Sequence, residues 1–292
     1  VNYDHTIDKI QVRNSFDRAA ASYDQAAILQ HEVSDRMLSR LDYIKHLPNM
    51  VLDAGSGTGY GTRKLRLRYP EARILAVDIA QAMHFQARPP ISLWKRLLAG
   101  RGNQTFYICG DIEQMPLKDS CAGLVWSNLT LQWCNDLNRT IAEMHRVLQI
   151  DGLFMFSTFG PDTLKELRQA FRSADSYNHV NRFTDMHDIG DMLVYNGFAT
   201  PVMDMEYITL TYDDVISLMR DLKAIGAHNA TQGRRRGLTG KISWQTAINY
   251  YETLRTEGKL PATFEIVYGH AWKLQSRKTA LTPETRRKIG LA

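Results

Sequence analysis

Cysteine is scarce in this chain, and no two cysteines are spaced to act together. Cys109, Cys121 and Cys134 are the only three in 292 residues, and none forms a C-x-x-C pair. Neither a disulfide framework nor a zinc site is expected, and no metal. Cys109 and Cys121 fall in or beside expected strands and read as small buried hydrophobes. A reducing cytoplasm is the simplest compartment for such usage. Long apolar runs are also missing: none reaches the length needed to span a bilayer, and the first residues show no signal-peptide pattern. No membrane partner is expected. Basic residues exceed acidic ones, giving a net charge of +5. No stripe of them interleaves with aromatics, so no nucleic-acid partner is expected either. The excess gathers in Arg234-Arg235-Arg236 and in the tail from Lys273 to Lys288. A solvated loop and terminus account for it simply, and docking to an acidic partner is the functional reading. Internal repeats and low-complexity segments are absent.

What is present is a glycine loop after a short buried strand, Val51-Leu52-Asp53-Ala54-Gly55-Ser56-Gly57-Thr58-Gly59-Tyr60. Its spacing is neither G-x-G-x-x-G, since Tyr60 stands where the last glycine would fall, nor G-x-x-x-x-G-K-[ST]. A helical pattern follows through Thr62, Leu65, Leu67 and Tyr69. Glycines at a strand-to-helix corner let backbone pass close to a bound cofactor in doubly wound α/β folds. In such folds an acidic residue ending the second strand accepts hydrogen bonds from ribose hydroxyls. Arg73 to Asp78 is such a strand, with Asp78 about 20 residues after the loop. A third strand, Thr105 to Cys109, runs into Gly110-Asp111-Ile112-Glu113, which places Asp111 for an adenine amino group. A fourth, Gly123 to Trp126, ends at Ser127-Asn128. Four strand ends with polar residues in the right places weigh far more than one glycine loop.

With 44% hydrophobic residues, the chain can bury one large core, or one core and a cap. The expected fold is α/β, a doubly wound, mostly parallel seven-stranded sheet with a helical cap. Residues 7–20 and 30–45 read as amphipathic helices and make an N-terminal lid over 1–46. The core runs over 47–160, with a helix from Asp136 to Leu148, a turn at Gln149–Gly152 and a fifth strand from Leu153 to Ser157. The C-terminal half, 161–292, suggests helices at 162–176, 185–195, 213–225 and 240–256 and strands near 203–211 and 264–273. The surplus at about 213–258 is expected to cap the strand ends with the N-terminal pair. Residues 87–104 form a further excursion, with Leu93, Trp94, Leu97 and Leu98 on one helical face.

The D-x-G-x-G-x-G loop resembles motif I of the class I S-adenosylmethionine-dependent methyltransferases, a Rossmann-like group. An N-P-P-[YF] run after strand four, which would suit methylation of an adenine amino group, is absent. The order Phe16-Asp17-Arg18-Ala19-Ala20 with Tyr23-Asp24, Gly110-Asp111-Ile112-Glu113 with Met115-Pro116-Leu117, Ser127-Asn128-Leu129 with Gln132-Trp133-Cys134, Asn181-Arg182-Phe183, and Leu222-Lys223-Ala224-Ile225-Gly226-Ala227 with His228 is more specific. It resembles the malonyl-acyl-carrier-protein O-methyltransferases of biotin synthesis, over about residues 10 to 230. The 87–104 excursion is longer than that family's pattern.

The resemblance implies transfer of a methyl group from S-adenosyl-L-methionine to the free carboxylate of a malonyl thioester, leaving S-adenosyl-L-homocysteine. The thioester partner is an acyl carrier protein carrying malonyl, or coenzyme A, and the chain is a monomer or weak dimer. Cofactor-binding residues on this reading are Asp53, Gly55, Ser56, Gly57, Gly59, Asp78, Ile79, Met83, Asp111, Ile112 and Asn128. Tyr23, Gln132 and Arg182 are the catalytic candidates, and Trp133 and His228 join them on the acceptor. A carboxylate is ionised at neutral pH, so no general base is needed. A guanidinium at Arg182 can grip it through paired hydrogen bonds. Two other readings remain. Asn135-Asp136-Leu137 and Gly160-Pro161-Asp162-Thr163-Leu164-Lys165-Glu166-Leu167 resemble runs of mitochondrial complex I assembly factors that act as arginine hydroxylases, but that group lacks Asn-Arg-Phe. A non-catalytic protein that binds S-adenosylmethionine is the second.

Overall fold

The computed structural model describes residues 6–88, 104–227, 229–232, 237 and 240–275. The 87–104 excursion with Trp94, and also His228, Arg234 to Arg236 and most of the basic tail, lie outside the described residues apart from their ends. Three helices come first: α1 (Lys9–Ala19), the short α2 (Tyr23–Ala26) and α3 (Ile28–Arg40). Asp8 caps α1 by accepting from the Gln11 N–H, which satisfies a donor the helix itself cannot use. The alternating core follows as β1 (Met50–Ala54), α4 (Tyr60–Arg68), β2 (Arg73–Asp78), α5 (Gln81–Ala87), β3 (Thr105–Cys109), β4 (Ala122–Asn128), α6 (Leu137–Val147) and β5 (Leu148–Phe159). Next come α7 (Lys165–Arg172), α8 (Met186–Tyr195), β6 (Ala199–Tyr212), α9 (Val215–Ala224), α10 (Lys241–Glu252) and β7 (Leu260–Lys273).

The seven strands form one sheet in the order β3-β2-β1-β4-β5-β7-β6. β1, β2, β3, β4 and β5 pair in parallel, and β7 runs antiparallel between β5 and β6. Alternate side chains divide between two apolar layers, as the period of a strand requires. Leu124, Trp126, Met155 and Tyr268 pack with Val33, Met37, Phe171 and Tyr251 on one face. Val125, Phe154, Phe156 and Val267 pack with Ile141, Met144, Ile189 and Leu193 on the other. Both faces of the central strands are therefore buried, which is why they read as continuous apolar runs. The chain order reverses between β1 and β4, so their carboxyl ends open a crevice where such folds bind ligands.

Three expectations are corrected. Gln149–Gly152 is not a turn but the start of β5, with Asp151 in the left-handed region at φ 58 where the strand pairing shifts register. Cys109 is exposed rather than buried, because it ends the edge strand β3, where its thiol faces the Ile79 carbonyl at 3.5 Å. Of the helices expected to cap the site, α10 packs instead against α7, with Trp244 beside Phe171 at 6.0 Å. Its apolar face, Ala247 and Tyr251, belongs to the core layer over the sheet. Among the described residues no helix is long and apolar enough to cross a membrane.

Candidate functional site

The glycine loop is fixed by the end of β2. The Gly55 and Ser56 N–H groups donate to the Val77 carbonyl at 2.8 and 3.0 Å. The Asp78 carboxylate accepts from the Gly57 N–H on one oxygen and the Ala80 N–H on the other, both at 2.8 Å. Burial pushes the Asp78 carboxyl up, while these two N–H groups pull it down. Gly55 has φ +85, and a Cβ there would lie 2.1 Å from Thr130 Oγ1, so only glycine fits. At Gly57, φ is +53 and nothing stands within 4 Å of a would-be Cβ. Its open side faces a cavity.

That cavity, about 80 Å³, is lined by Gly55, Gly57, Asp78, Ile79, Met83, Asp111, Ile112 and Asn128, with Lys9, Val12 and Phe16 of α1 above them. Ser56 lines a recess of about 50 Å³ beside it. Its hydroxyl is buried and has no partner among the described residues. Asp111 meets Lys9 Nζ at 3.1 Å, a contact of the lid that no motif announces. Asn128 accepts from Ser157 Oγ at 2.8 Å and donates to the Gln30 carbonyl at 3.0 Å. Gly59 and Asp53 stand outside these walls. A Cβ on Gly59 would lie 2.9 Å from that of Ala87, so it serves packing. Asp53 is buried and accepts from Thr62 Oγ1 at 2.5 Å. Burial pushes its carboxyl up to about 7 against the pull of that bond.

A larger cavity of about 450 Å³ adjoins the first, and Phe16, Tyr23, Leu129 and Trp133 line both. Burial first, then Asp78 and Asp24, push the Tyr23 phenol well up. It stays a neutral hydrogen-bond donor at physiological pH. Gln132 also lines the larger cavity, though its amide donates to the Leu129 carbonyl at 2.7 Å and accepts from Thr158 Oγ1 at 3.3 Å. Arg182 does not line it. Its side chain is exposed and lies in a side pocket of about 180 Å³. This pocket shares Gln132, Phe159 and Phe183 with the larger cavity and Cys134 with the cofactor cavity. Sequence reasoning missed Gln30, Asn178, His179 and Asn181, which add polar groups to the larger cavity. His179 Nε2 meets Asp175 at 2.8 Å, and its ring stacks on Phe171 at 4.0 Å. Only Asn181 had a signal, as the neighbour of Arg182. Among the described residues no group of three or more His, Cys, Asp or Glu is placed to hold a metal.

A parallel-centred sheet in this strand order, with a glycine loop and acidic β2 end lining one cavity that opens beside a larger one, is the architecture of a class I methyltransferase. The family model described as "Methyltransferase domain" matches residues 52–156. In structure the chain is similar to the YcgJ protein of Bacillus subtilis (TM-score 0.56, 15% identity, 83% of this chain and 100% of that one). It is equally similar to a putative methyltransferase of Bacillus halodurans (TM-score 0.56, 18% identity, 82% and 99%). In sequence it is 72% identical to the malonyl-[acyl-carrier protein] O-methyltransferase of Nitrosospira multiformis, over 100% of this chain and 97% of that one. It is 57% identical to the namesake from Gallionella capsiferriformans over 91% of each. The chain belongs to the malonyl-[acyl-carrier protein] O-methyltransferase family.

Two outcomes follow from this geometry. Gly57→Val forces a branched side chain to φ +53 and into the cavity, while Asp78→Ala frees the Gly57 N–H and removes acceptors for a ribose. Calorimetry is expected to show S-adenosylmethionine affinity reduced about 5- to 150-fold in Asp78→Ala, and lost in Gly57→Val, with both proteins folded by circular dichroism. Unchanged affinity in both would remove the site. Asp53 has a second consequence. Its carboxyl titrates higher folded than unfolded, so the folded state holds the extra proton between about pH 4 and 7. The stability it contributes is present below pH 4 and lost as pH rises to 7. Asp53→Asn should flatten that part of the urea-denaturation profile by on the order of 2–4 kcal/mol, and an unchanged slope would refute it.

Proposed function

We propose that this chain transfers the methyl group of S-adenosyl-L-methionine to the free carboxylate of malonyl carried as a thioester on acyl carrier protein, an early step of biotin synthesis. The observation that carries the reading is the junction of the two cavities. Phe16, Tyr23, Leu129 and Trp133 line both, so a group seated in one meets a group seated in the other there. The cofactor's fit rests on the chain's own atoms: the open side of Gly57, the Asp78 and Asp111 carboxylates, the apolar Ile79 and Met83, and the Ser56 hydroxyl, which has no partner among the described residues. When bound, it supplies an electrophilic methyl on a positively charged sulfur.

The residues around that junction have a limited task. The acceptor is already ionised, so no side chain has to remove a proton. Phe16, Leu129 and Trp133 exclude water, and fixed protein dipoles replace it around the reacting charges. The Tyr23 phenol, held neutral, donates to an acceptor oxygen and fixes its line of approach. Holding the reacting atoms in line supplies much of the rate gain that such a site can give. Arg182 is the cation for the carboxylate. Its pocket touches the cofactor cavity at Cys134 and the acceptor cavity at Gln132, Phe159 and Phe183. From that corner it favours the oxygen that does not attack, which leaves the attacking oxygen free to react.

Incubation with labelled S-adenosylmethionine and malonyl thioesters, with the product identified by mass, tests the reading. Methyl ester on malonyl is expected and none on acetyl thioesters, which have no free carboxylate. Formation of no ester with any malonyl thioester would overturn it. Arg182→Ala should lower kcat/KM by roughly 30- to several thousand-fold. Lysine should restore only part, because it lacks the planar fork, and cofactor affinity should hold. Full activity in Arg182→Ala, or loss of cofactor binding instead, removes the role.

A further inference from the structure

The larger cavity is far roomier than its reacting group. A volume of about 450 Å³ is of the size that holds a drug-sized ligand, whereas a malonyl group is a short three-carbon acyl chain with one free carboxylate. Resting on the function proposed above, the remaining space has a natural occupant in the arm that carries malonyl. A phosphopantetheine arm has two amides along its length, and its phosphate lies at the end remote from the thioester. The cavity wall repeats that polarity. Gln30, Asn178 and Asn181 bring amide-bearing residues to a wall that also carries Leu164, Leu167, Met219 and Phe264. Asn181 is 8% exposed and its Oδ1 has no partner among the described residues.

The same cavity is lined by two exposed cations, Arg18 in the last turn of α1 and Lys223 in the last turn of α9. The turn that follows α9 meets α1 there, since a Cβ on Gly226 would lie 3.1 Å from Phe16 Cδ1 and 3.4 Å from the Ser15 carbonyl oxygen. Both cations stand beside this seam. Several other basic residues of the lid and its surroundings have acidic partners: Lys9 with Asp111 and Glu113, Arg36 with Glu32 and Glu206, Arg40 with Asp204, Lys64 with Asp35. Arg13 of α1 forms no ion pair among the described residues, but it does not line the cavity. Among the described residues neither Arg18 nor Lys223 forms an ion pair, and Arg18 reaches only Ser15 Oγ at 3.5 Å. Two like charges that line one cavity without an acid are arranged for an anion. We propose that Arg18 and Lys223 seat the phosphate of the phosphopantetheine arm at the lip of the acceptor cavity. The phosphate of a carrier-bound arm stays at the surface where it joins the protein, and these are the cations exposed there.

Three malonyl thioesters separate the phosphate from its surroundings: those of pantetheine, of 4′-phosphopantetheine and of the carrier protein. In the double variant Arg18→Gln, Lys223→Gln, KM for the phosphopantetheine and carrier substrates should rise about 10- to 100-fold. KM for the pantetheine substrate should change less than about twofold, and the melting temperature should stay near that of the wild type. The wild-type preference for the phosphorylated arm should shrink with added salt, and the variant should show little to shrink. An equal effect on both small substrates would overturn the assignment. So would an effect on the carrier alone, which would set the two cations against the carrier's own side chains. A lowered melting temperature with unchanged KM would make them helix-terminal charges only. Calorimetry with unacylated 4′-phosphopantetheine decides the point even if the wild type methylates no malonyl thioester. A dissociation constant unchanged by the double substitution refutes the phosphate seat, whereas absent turnover refutes the function on which it rests.

Discussion

The carboxylate of Asp78 holds the binding end of the sheet together. Its two oxygens accept the Gly57 and Ala80 N–H groups, one on the loop after β1 and one on the entry to α5. Beside it the Val77 carbonyl takes the Gly55 and Ser56 N–H groups. Three backbone donors of the glycine loop and one at the entry to α5 are thus collected by two adjacent residues of β2. Burial raises this carboxyl even with the two donors, which hold part of that rise back. With them, the same group orders the loop and keeps lone pairs free for a ligand. The loop geometry, the open face at Gly57 and the shape of the cofactor cavity all depend on this fastening.

The lid is attached to that frame at several points, and each attachment involves the site. Asp24 on α2 accepts from Thr58 Oγ1 of the glycine loop, and Lys9 on α1 meets Asp111. Ile7 exchanges hydrogen bonds with the Asn135 side chain, donating at 2.7 Å and accepting at 3.0 Å. It also bridges to Thr231, while the Asp8 N–H reaches the Ala230 carbonyl at 2.8 Å. The segment at 229–232 in turn reaches the Asn178 carbonyl through the Asn229 amide. The roof of the cofactor cavity and the wall of the acceptor cavity are therefore joined through the ends of α1.

How much of this was legible in the sequence differs by element. Strands β1 and β2 are readable because parallel strands buried on both faces need continuous apolar runs, and the edge strand β3 because its short run leads into Gly110-Asp111. The helices after β5 were readable from their periodicity, although α10 was assigned to the cap when its Trp244 and Tyr251 face the core. Asp78, Asp111 and Asn128 were found because the fold dictates where a cofactor must meet the chain. Gln30, Asn178, His179 and Asn181 were not, because acceptor walls are assembled from loops and lid helices far apart in the chain. No spacing rule links them. Arg182 shows the limit in detail: the motif named the residue, but only packing around Gln132, Phe159 and Phe183 places its side chain beyond the wall of the main cavity.

On the proposed reading, that separation has a catalytic logic. A cation that held both oxygens of the reacting carboxylate tightly would stabilise the ground state as much as the transition state and gain little rate. The chain instead keeps its strongest available positive charges away from the attacking oxygen. Arg182 meets the acceptor only from the corner at Gln132, Phe159 and Phe183, on the side of the oxygen that does not attack, and Arg18 and Lys223 stand at the lip. Binding an arm along its whole length supplies affinity from groups that take no part in the reaction. The junction lined by Phe16, Tyr23, Leu129 and Trp133 then needs only to exclude water and hold direction. A spacious acceptor cavity beside a tight cofactor cavity is what such a division of labour requires.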